Sequence, residues 1–217
     1  MQLLKLQPEL ETPPDPGYPG FLAMLAIYIF VKEKVDVMIL ETGIGGERDS
    51  TNIFPHPVAT GITTIGLDHV KTLGNSVEQI AWHKAGIFKA GSPAFAIIQD
   101  EPVLNVLRKR ADEVSGELQV VTDQIVHEYG LRVYPDMHYQ RLNASLAISL
   151  ASSYLMSEYP GFSMTKDIAR VVENTELPGR CQVLVDGENT WYISIAHSEV
   201  SLKETIAWFK GAIQVGE

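Results

Sequence analysis

The sequence predicts an α/β fold: a mostly parallel sheet flanked by helices, followed by a partial carboxyl-terminal α/β unit. Two observations predict it. Short β-rich segments alternate with helix-length segments, the pattern that wraps helices around a parallel sheet. An apolar run also ends in an acid and breaks on glycine: Val37-Met38-Ile39-Leu40-Glu41-Thr42-Gly43-Ile44-Gly45-Gly46, followed by Asp49-Ser50-Thr51-Asn52. Such a run places a carboxylate at the carboxyl end of a buried strand, where open α/β sheets bind their ligands.

Each element follows from local signals. Asp15-Pro16-Gly17-Tyr18-Pro19-Gly20 breaks the chain before the first long helix. The apolar run over residues 21–31 is well short of the roughly 20 residues needed to span a bilayer and reads as a buried helix. Residues 35–41 read as the first sheet strand and residues 57–65, rich in Val, Ile and Thr, as the second. Ser76 with Gln79 three residues later forms a capping box for a helix carrying Trp82, His83 and Lys84. Residues 93–99 are a third strand, Pro102 suits the first turn of a helix, and Gly116 marks that helix's end. Residues 118–121 make a fourth strand. Residues 140–156 hold apolar positions at helical spacing until Tyr159-Pro160-Gly161 stops them, and another helix ends near Glu173. Residues 183–185 and 190–195 flank Asp186-Gly187-Glu188-Asn189 as a hairpin, and Ser201 with Glu204 caps a last helix. Residues 1–176 are read as one domain and residues 177–217 as part of a second.

Of the 217 residues, 45% are hydrophobic and 20% charged, enough apolar content for a full core. The net charge of -10 argues against nucleic-acid and anionic-membrane partners, and the basic triplet Arg108-Lys109-Arg110 reads as a solvated helix face. A single cysteine, Cys181, excludes an internal disulfide framework. Met1-Gln2-Leu3-Leu4-Lys5 is too polar downstream for a signal peptide, so the expected location is the cytoplasm.

The glycine-rich motif occurs with Gly66-Leu67-Asp68-His69, Ile80-Ala81-Trp82-His83-Lys84-Ala85-Gly86-Ile87-Phe88-Lys89 and Leu177-Pro178-Gly179-Arg180-Cys181-Gln182. Together these resemble the folylpolyglutamate synthases, the Mur-ligase-like enzymes that add glutamate to folates. The resemblance covers most of the chain in the family's order. It implies a truncated Mur-ligase-like central domain and a remnant of the carboxyl-terminal domain. Family members open with a nucleotide-binding unit whose loop reads G-x-x-x-x-G-K-[ST], and these residues hold no such pattern. The expectation is a chain that begins after that unit and stops soon after the first strand and helix of the carboxyl-terminal domain.

The resemblance also implies site residues. In the family the residues matching Glu41 and His69 hold magnesium, and the lysine matching Lys84 is carbamylated, which turns an ammonium into a carboxylate. Mg²⁺ takes few protein ligands, mainly oxygen, and keeps waters for a phosphate to share. Read singly, Glu41 could cap a turn, His69 could hydrogen-bond a carbonyl, and Lys84 could pair with an acid such as Glu78. Asn143 in Tyr139-Gln140-Arg141-Leu142-Asn143-Ala144 resembles the family's adenine-contacting motif, and Arg180 its phosphate-contacting arginine. Alone, Asn143 could cap its own helix and Arg180 could brace a turn through carboxylate pairing. Where the family has Asp-Gly-Ala-His, this chain has Ser194-Ile195-Ala196-His197. His197 is left as a proton donor or acceptor without its acid, or as a half-buried structural histidine.

Phosphoryl transfer depends on backbone amides and a lysine that cradle the β and γ phosphates. Without that cradle, the expected function is ATP-independent chemistry on a small-molecule substrate: cyclisation, isomerisation or hydrolysis, in small-molecule biosynthesis. Glu41, His69, Lys84 and His197 are the expected catalytic residues, and Asn143 and Arg180 vestigial nucleotide contacts. No cofactor is required, with Glu41, His69 and a carbamylated Lys84 as a vestigial Mg²⁺ site. The alternatives are a non-catalytic pseudoenzyme or binding protein, or one part of a split ATP-dependent folate–glutamate ligase. Unpaired strand edges predict a homodimer, unless residues 1–10, apolar at Leu3, Leu4 and Leu6, cover the gap.

Overall fold

The structure, a computed structural model, describes residues 16–214. The readings of residues 1–10, as a cover for the sheet edge and as no leader peptide, lie outside them. Three parallel strands, β1 (Thr60–Ile62), β2 (Ala94–Ile97) and β3 (Leu118–Val121), form a sheet in that order. Thr60 stands opposite Ala94, and Ala94 opposite Leu118.

Strand β2 explains the layers. All four of its residues are buried, and small and large side chains alternate along it. Ala94 and Ala96 enter a core with Ile80 and Ala81 of α3 (Val77–Ala85) and Leu104 and Leu107 of α4 (Glu101–Glu113). Phe95 and Ile97 point the other way, against Leu142 and Leu146 of α6 (His138–Glu158). A period of two with apolar residues on both sides is what a strand covered twice by helices requires. A second stripe of α6, through Ile148, packs on Val126 of α5 (Gln124–Tyr129) and on Leu131, Val133 and Ala169, the last in α7 (Lys166–Ala169).

The remaining elements are a short α2 (Val70–Leu73), a 3-10 turn over Arg170–Asn174, an antiparallel hairpin of β4 (Gln182–Asp186) and β5 (Asn189–Ile193), and α8 (Glu199–Gln214). Gly187 takes the first turn position of the hairpin at φ 61°, a left-handed conformation that glycine adopts without steric penalty. Trp208 of α8 meets Tyr192 of β5 edge-on at 5.6 Å.

The observed elements depart from expectation in four places. Residues 35–41 do not join the sheet: β1 pairs with β2 alone, and Ile39 is 87% exposed. An extended apolar run becomes a strand only where a neighbour supplies its hydrogen bonds, and none of the described residues does. The first helix, α1 (Gly17–Glu33), is not buried; only Gly20 and Ile27 are, while Phe21, Tyr28 and Val31 are more than half exposed. The left-handed turn that ends α4 falls one residue before the expected glycine. Ser115 takes that position at φ 56° and donates to Asp112 O, and Gly116 N–H reaches back to Ala111 O, which satisfies two terminal carbonyls. Helix α8 is capped from Ser198, not Ser201. Ser198 Oγ accepts from Ser201 N–H at 3.3 Å, and Ser201 Oγ accepts from Ser198 N–H at 3.0 Å, a reciprocal capping box set three residues earlier. The cap at Ser76 is where expected, its hydroxyl accepting from Gln79 N–H. No helix among the described residues is long and apolar enough to cross a membrane.

Candidate active site

The loop after β1 carries Asp68 and His69. Gln99, just beyond β2, holds that loop with both ends of its amide, its oxygen accepting from Ile65 N–H at 2.7 Å and its nitrogen donating to Thr63 O at 3.3 Å. The pair extends the β1–β2 ladder past the last backbone rung, so Asp68 and His69 are carried on the carboxyl edge. His69 sits at φ 50°, a left-handed conformation that is strained for a non-glycine residue and concentrates at functional sites. Its backbone N–H donates to Asp68 Oδ1 at 2.7 Å, and its Nε2 lies 3.7 Å from Asp68 Oδ2.

The same Asp68 oxygen is 3.5 Å from His197 Nε2. His197 donates from Nδ1 to Ile195 O at 3.0 Å, so in the neutral ring the free lone pair is on Nε2, facing Asp68. The His197 pKa is raised above 6.5, first by the Ile195 carbonyl and then by Asp68, while the charge of nearby Arg180 opposes the rise. The Asp68 carboxyl is held below 3.8, first by the His69 amide, with both imidazoles adding to the effect. Ser194 does not act as an acid for His197; its hydroxyl accepts from Ala196 N–H and shares a bond with Thr205.

Arg180 is close enough for its charge to be felt at His197, and its neighbour Cys181 is anchored. Cys181, buried and at φ 46°, places Sγ 3.3 Å from the hydroxyl of Tyr139 in the first turn of α6. Burial and this contact push the Tyr139 hydroxyl pKa up. Asn143 lies one turn beyond Tyr139 on the same helix face. It is within α6 and five residues from its start, so it does not cap that helix, and no carboxylate pairs with Arg180 among the described residues.

The glycine-rich loop is clasped by Asp49. Its Oδ2 accepts from Gly43 and Ile44 N–H, and its Oδ1 from the amide and hydroxyl of Thr51. The loop rests on the end of α3: Glu47 N–H donates to His83 O at 2.9 Å, and Asn52 donates to Gly86 O at 3.1 Å. A Cβ on Gly46 would stand 2.6 Å from Lys84 O, so a bare backbone is required there. Arg110 of α4 braces the loop from outside, pairing with Glu47 at 3.2 Å and lying 4.3 Å over the Trp82 ring. The loop is thereby seated on the helix that carries Lys84. Yet among the described residues no hydrogen bond or ion pair joins Glu41, His69 and Lys84 to one another, and Lys84 does not pair with Glu78.

The chain as a whole is similar to known proteins. The chain is 40% identical over 206 residues to the folylpolyglutamate synthase of Neurospora crassa, covering 93% of this chain and 39% of that protein. The mitochondrial folylpolyglutamate synthase of Homo sapiens is 39% identical over 223 residues, 92% of this chain and 38% of that protein. The chain belongs to the folylpolyglutamate synthase family. It spans less than half the length of these curated relatives. Among solved structures it superposes on a point mutant of L. casei FPGS with a TM-score of 0.77 at 25% identity, over 97% of this chain and 55% of that one. An FPGS-AMPPCP complex gives 0.75 at 27% identity, over 88% and 52%. No protein-family model matches the chain.

The family's magnesium ligands can be tested against these side chains. Glu41, His69 and an unmodified Lys84 offer one carboxylate, one imidazole and an ammonium, a poor donor set for an ion that seeks oxygen. No group of three His, Cys, Asp or Glu side chains among the described residues is placed to hold a metal. Unmodified, the set supplies one oxygen ligand, from Glu41, and carbamylation of Lys84 would supply a second. Beside the loop lies a cavity of about 730 Å³, lined by Lys71, Leu73, Glu78, Trp82 and His83 among others. Leu73 and His83 also flank Gly45, which joins the cavity to the glycine loop. Sequence reasoning passed over Asp68 as a partner for His197. The available signal was the lost acid at Ser194, which makes the nearest carboxylate on the same edge the natural substitute.

Proposed function

We propose that this folylpolyglutamate synthase-like chain catalyses ATP-independent acid–base chemistry on a small anionic molecule: a hydrolysis, cyclisation or isomerisation. The observation that carries this reading is the Asp68 carboxylate shared between His69 and His197 beside the cationic Arg180. Arg180 would hold a carboxylate or phosphate of the substrate. Neutral His197 gains a proton at Nε2 and, once charged, is stabilised by Asp68. In a hydrolysis, His197 takes a proton from water as the oxygen adds to a carbonyl, then returns it to the leaving oxygen. Glu41 and Lys84 remain available on the adjoining loop and helix as further acid–base groups.

A second reading is that the chain acts as one part of an ATP-dependent folate–glutamate ligase. The exposed apolar faces of α1 and residues 37–39, together with a span of 39% of the Neurospora crassa relative, favour it. Two measurements separate the readings. Metabolite profiles of producing cells should lose the same compound in Asp68→Asn and His197→Ala strains at normal protein level, and the purified chain should not turn over ATP. Saturable ATP turnover abolished by Glu41→Gln would overturn the first reading in favour of the second.

A further inference from the structure

The segment that leads to Asp68 has little main-chain support of its own. Backbone pairing of β1 with β2 ends at Ile62, opposite Ala96. Over residues 63–67, among the described residues, two hydrogen bonds reach the main chain, and both come from the side chain of Gln99. Its amide accepts from the N–H of Ile65 and donates to the carbonyl of Thr63, the groups on either side of Thr64. One residue of a parallel strand makes the same two contacts with its neighbour, accepting from the residue after its partner and donating to the residue before it. A side-chain amide carries the donor and the acceptor of a peptide group, so Gln99 supplies that rung where the backbone rungs have ended.

We propose that Gln99 is a positioning residue for the acid–base cluster, its side-chain rung setting where Asp68 stands relative to His197. The inference rests on the acid–base reading of that cluster. Ile65, held by Gln99 at its N–H and buried in the core by its side chain, comes three residues before Asp68. Gly66 follows against α8, where an added Cβ would lie 3.8 Å from Val200, so the same segment meets the unit that carries His197. Asp68 then stands 3.5 Å from His197 Nε2 and 3.7 Å from His69 Nε2. His197 is faced by Asp68 and by the charge of Arg180, and Asp68 in turn by His69. Reacting groups need placement to about 0.5 Å, which hydrogen-bonded supports behind them supply. The two contacts of Gln99 call for one acceptor and one donor. Leucine offers neither, and an ionised glutamate offers the acceptor alone.

The test is a double-mutant comparison in the full chain, read from the His197 ring resonances by NMR. Asp68→Asn should move the His197 titration midpoint downward in the native chain. In a Gln99→Leu background the same replacement should move it less or not at all, because Asp68 no longer stands within reach. A loss of stability alone would lower the melting temperature and leave that response intact. Gln99→Glu, which keeps the contact to Ile65 and lacks the donor for Thr63, takes the place of Gln99→Leu if the leucine chain does not fold. Cells producing either variant at normal protein level should lose the compound that Asp68→Asn cells lose. A response to Asp68→Asn as large in the Gln99 variants as in the native chain would overturn the proposal. No response in the native chain would instead remove the acid–base reading, and the proposal with it.

Discussion

The Asp68 carboxylate lies between two imidazoles, and that single placement changes what His197 can do. His197 is held above 6.5 by the Ile195 carbonyl and then by Asp68. Its attraction to Asp68 is therefore fully present below pH 6.5 and is lost as the pH rises through the raised value. Asp68→Asn should move the His197 titration midpoint downward, read from its ring resonances by NMR; an unchanged midpoint would show that Asp68 does not influence it. His197 was legible as a candidate and Asp68 was not. The two lie well over a hundred positions apart, and only the return of the carboxyl-terminal segment to the sheet edge makes them neighbours.

The elements differ in how much of their placement was local. Ser76 was readable as a cap because its partner Gln79 is three residues away. The glycine loop is different, since its contacts run to α3 and α4. Gly46→Ala would drive a methyl into Lys84 O and His83 O, and thermal unfolding should report a loss of about 1–3 kcal/mol, the usual cost of overpacking. A second test concerns the junction of α5 and α6. Burial pushes the Asp123 pKa up, but hydrogen bonds from Arg141, His138 and His127 outweigh it and hold the pKa below 3.8. Its contribution is present above pH 3.8 and disappears as the pH falls through the lowered value. Asp123→Asn should reduce the melting temperature at pH 6 and have little effect well below pH 3; an equal reduction at both would locate the effect elsewhere.

For the molecule as a whole, the uncovered apolar surface dominates. Tyr18 and Val31 of α1 are 74% and 66% exposed, and Val185 of the hairpin is 74% exposed. Surfaces of this kind are ordinarily covered by a partner. The purified chain should form a homodimer, with light scattering giving twice the 24.0 kDa of one copy. A mass near that of a single copy at micromolar concentration would exclude it. The sequence showed that residues 21–31 are apolar but not what lies against them, because hydrophobicity states a requirement for burial and does not name the covering element.

By itself the sequence determined the α/β class, the strands read at residues 93–99 and 118–121, the helices around them and the family motifs, all of which rest on periodicity or on short-range chemistry. Tertiary structure alone decided that residues 37–40 find no strand to pair with among the described residues, that those residues leave α1 largely uncovered, and that Asp68 lies beside His197. Those outcomes depend on groups distant in sequence meeting in space. A strand needs a neighbour's hydrogen bonds, an apolar helix needs a surface to bury it, and an ion pair needs two loops held on one edge of a sheet.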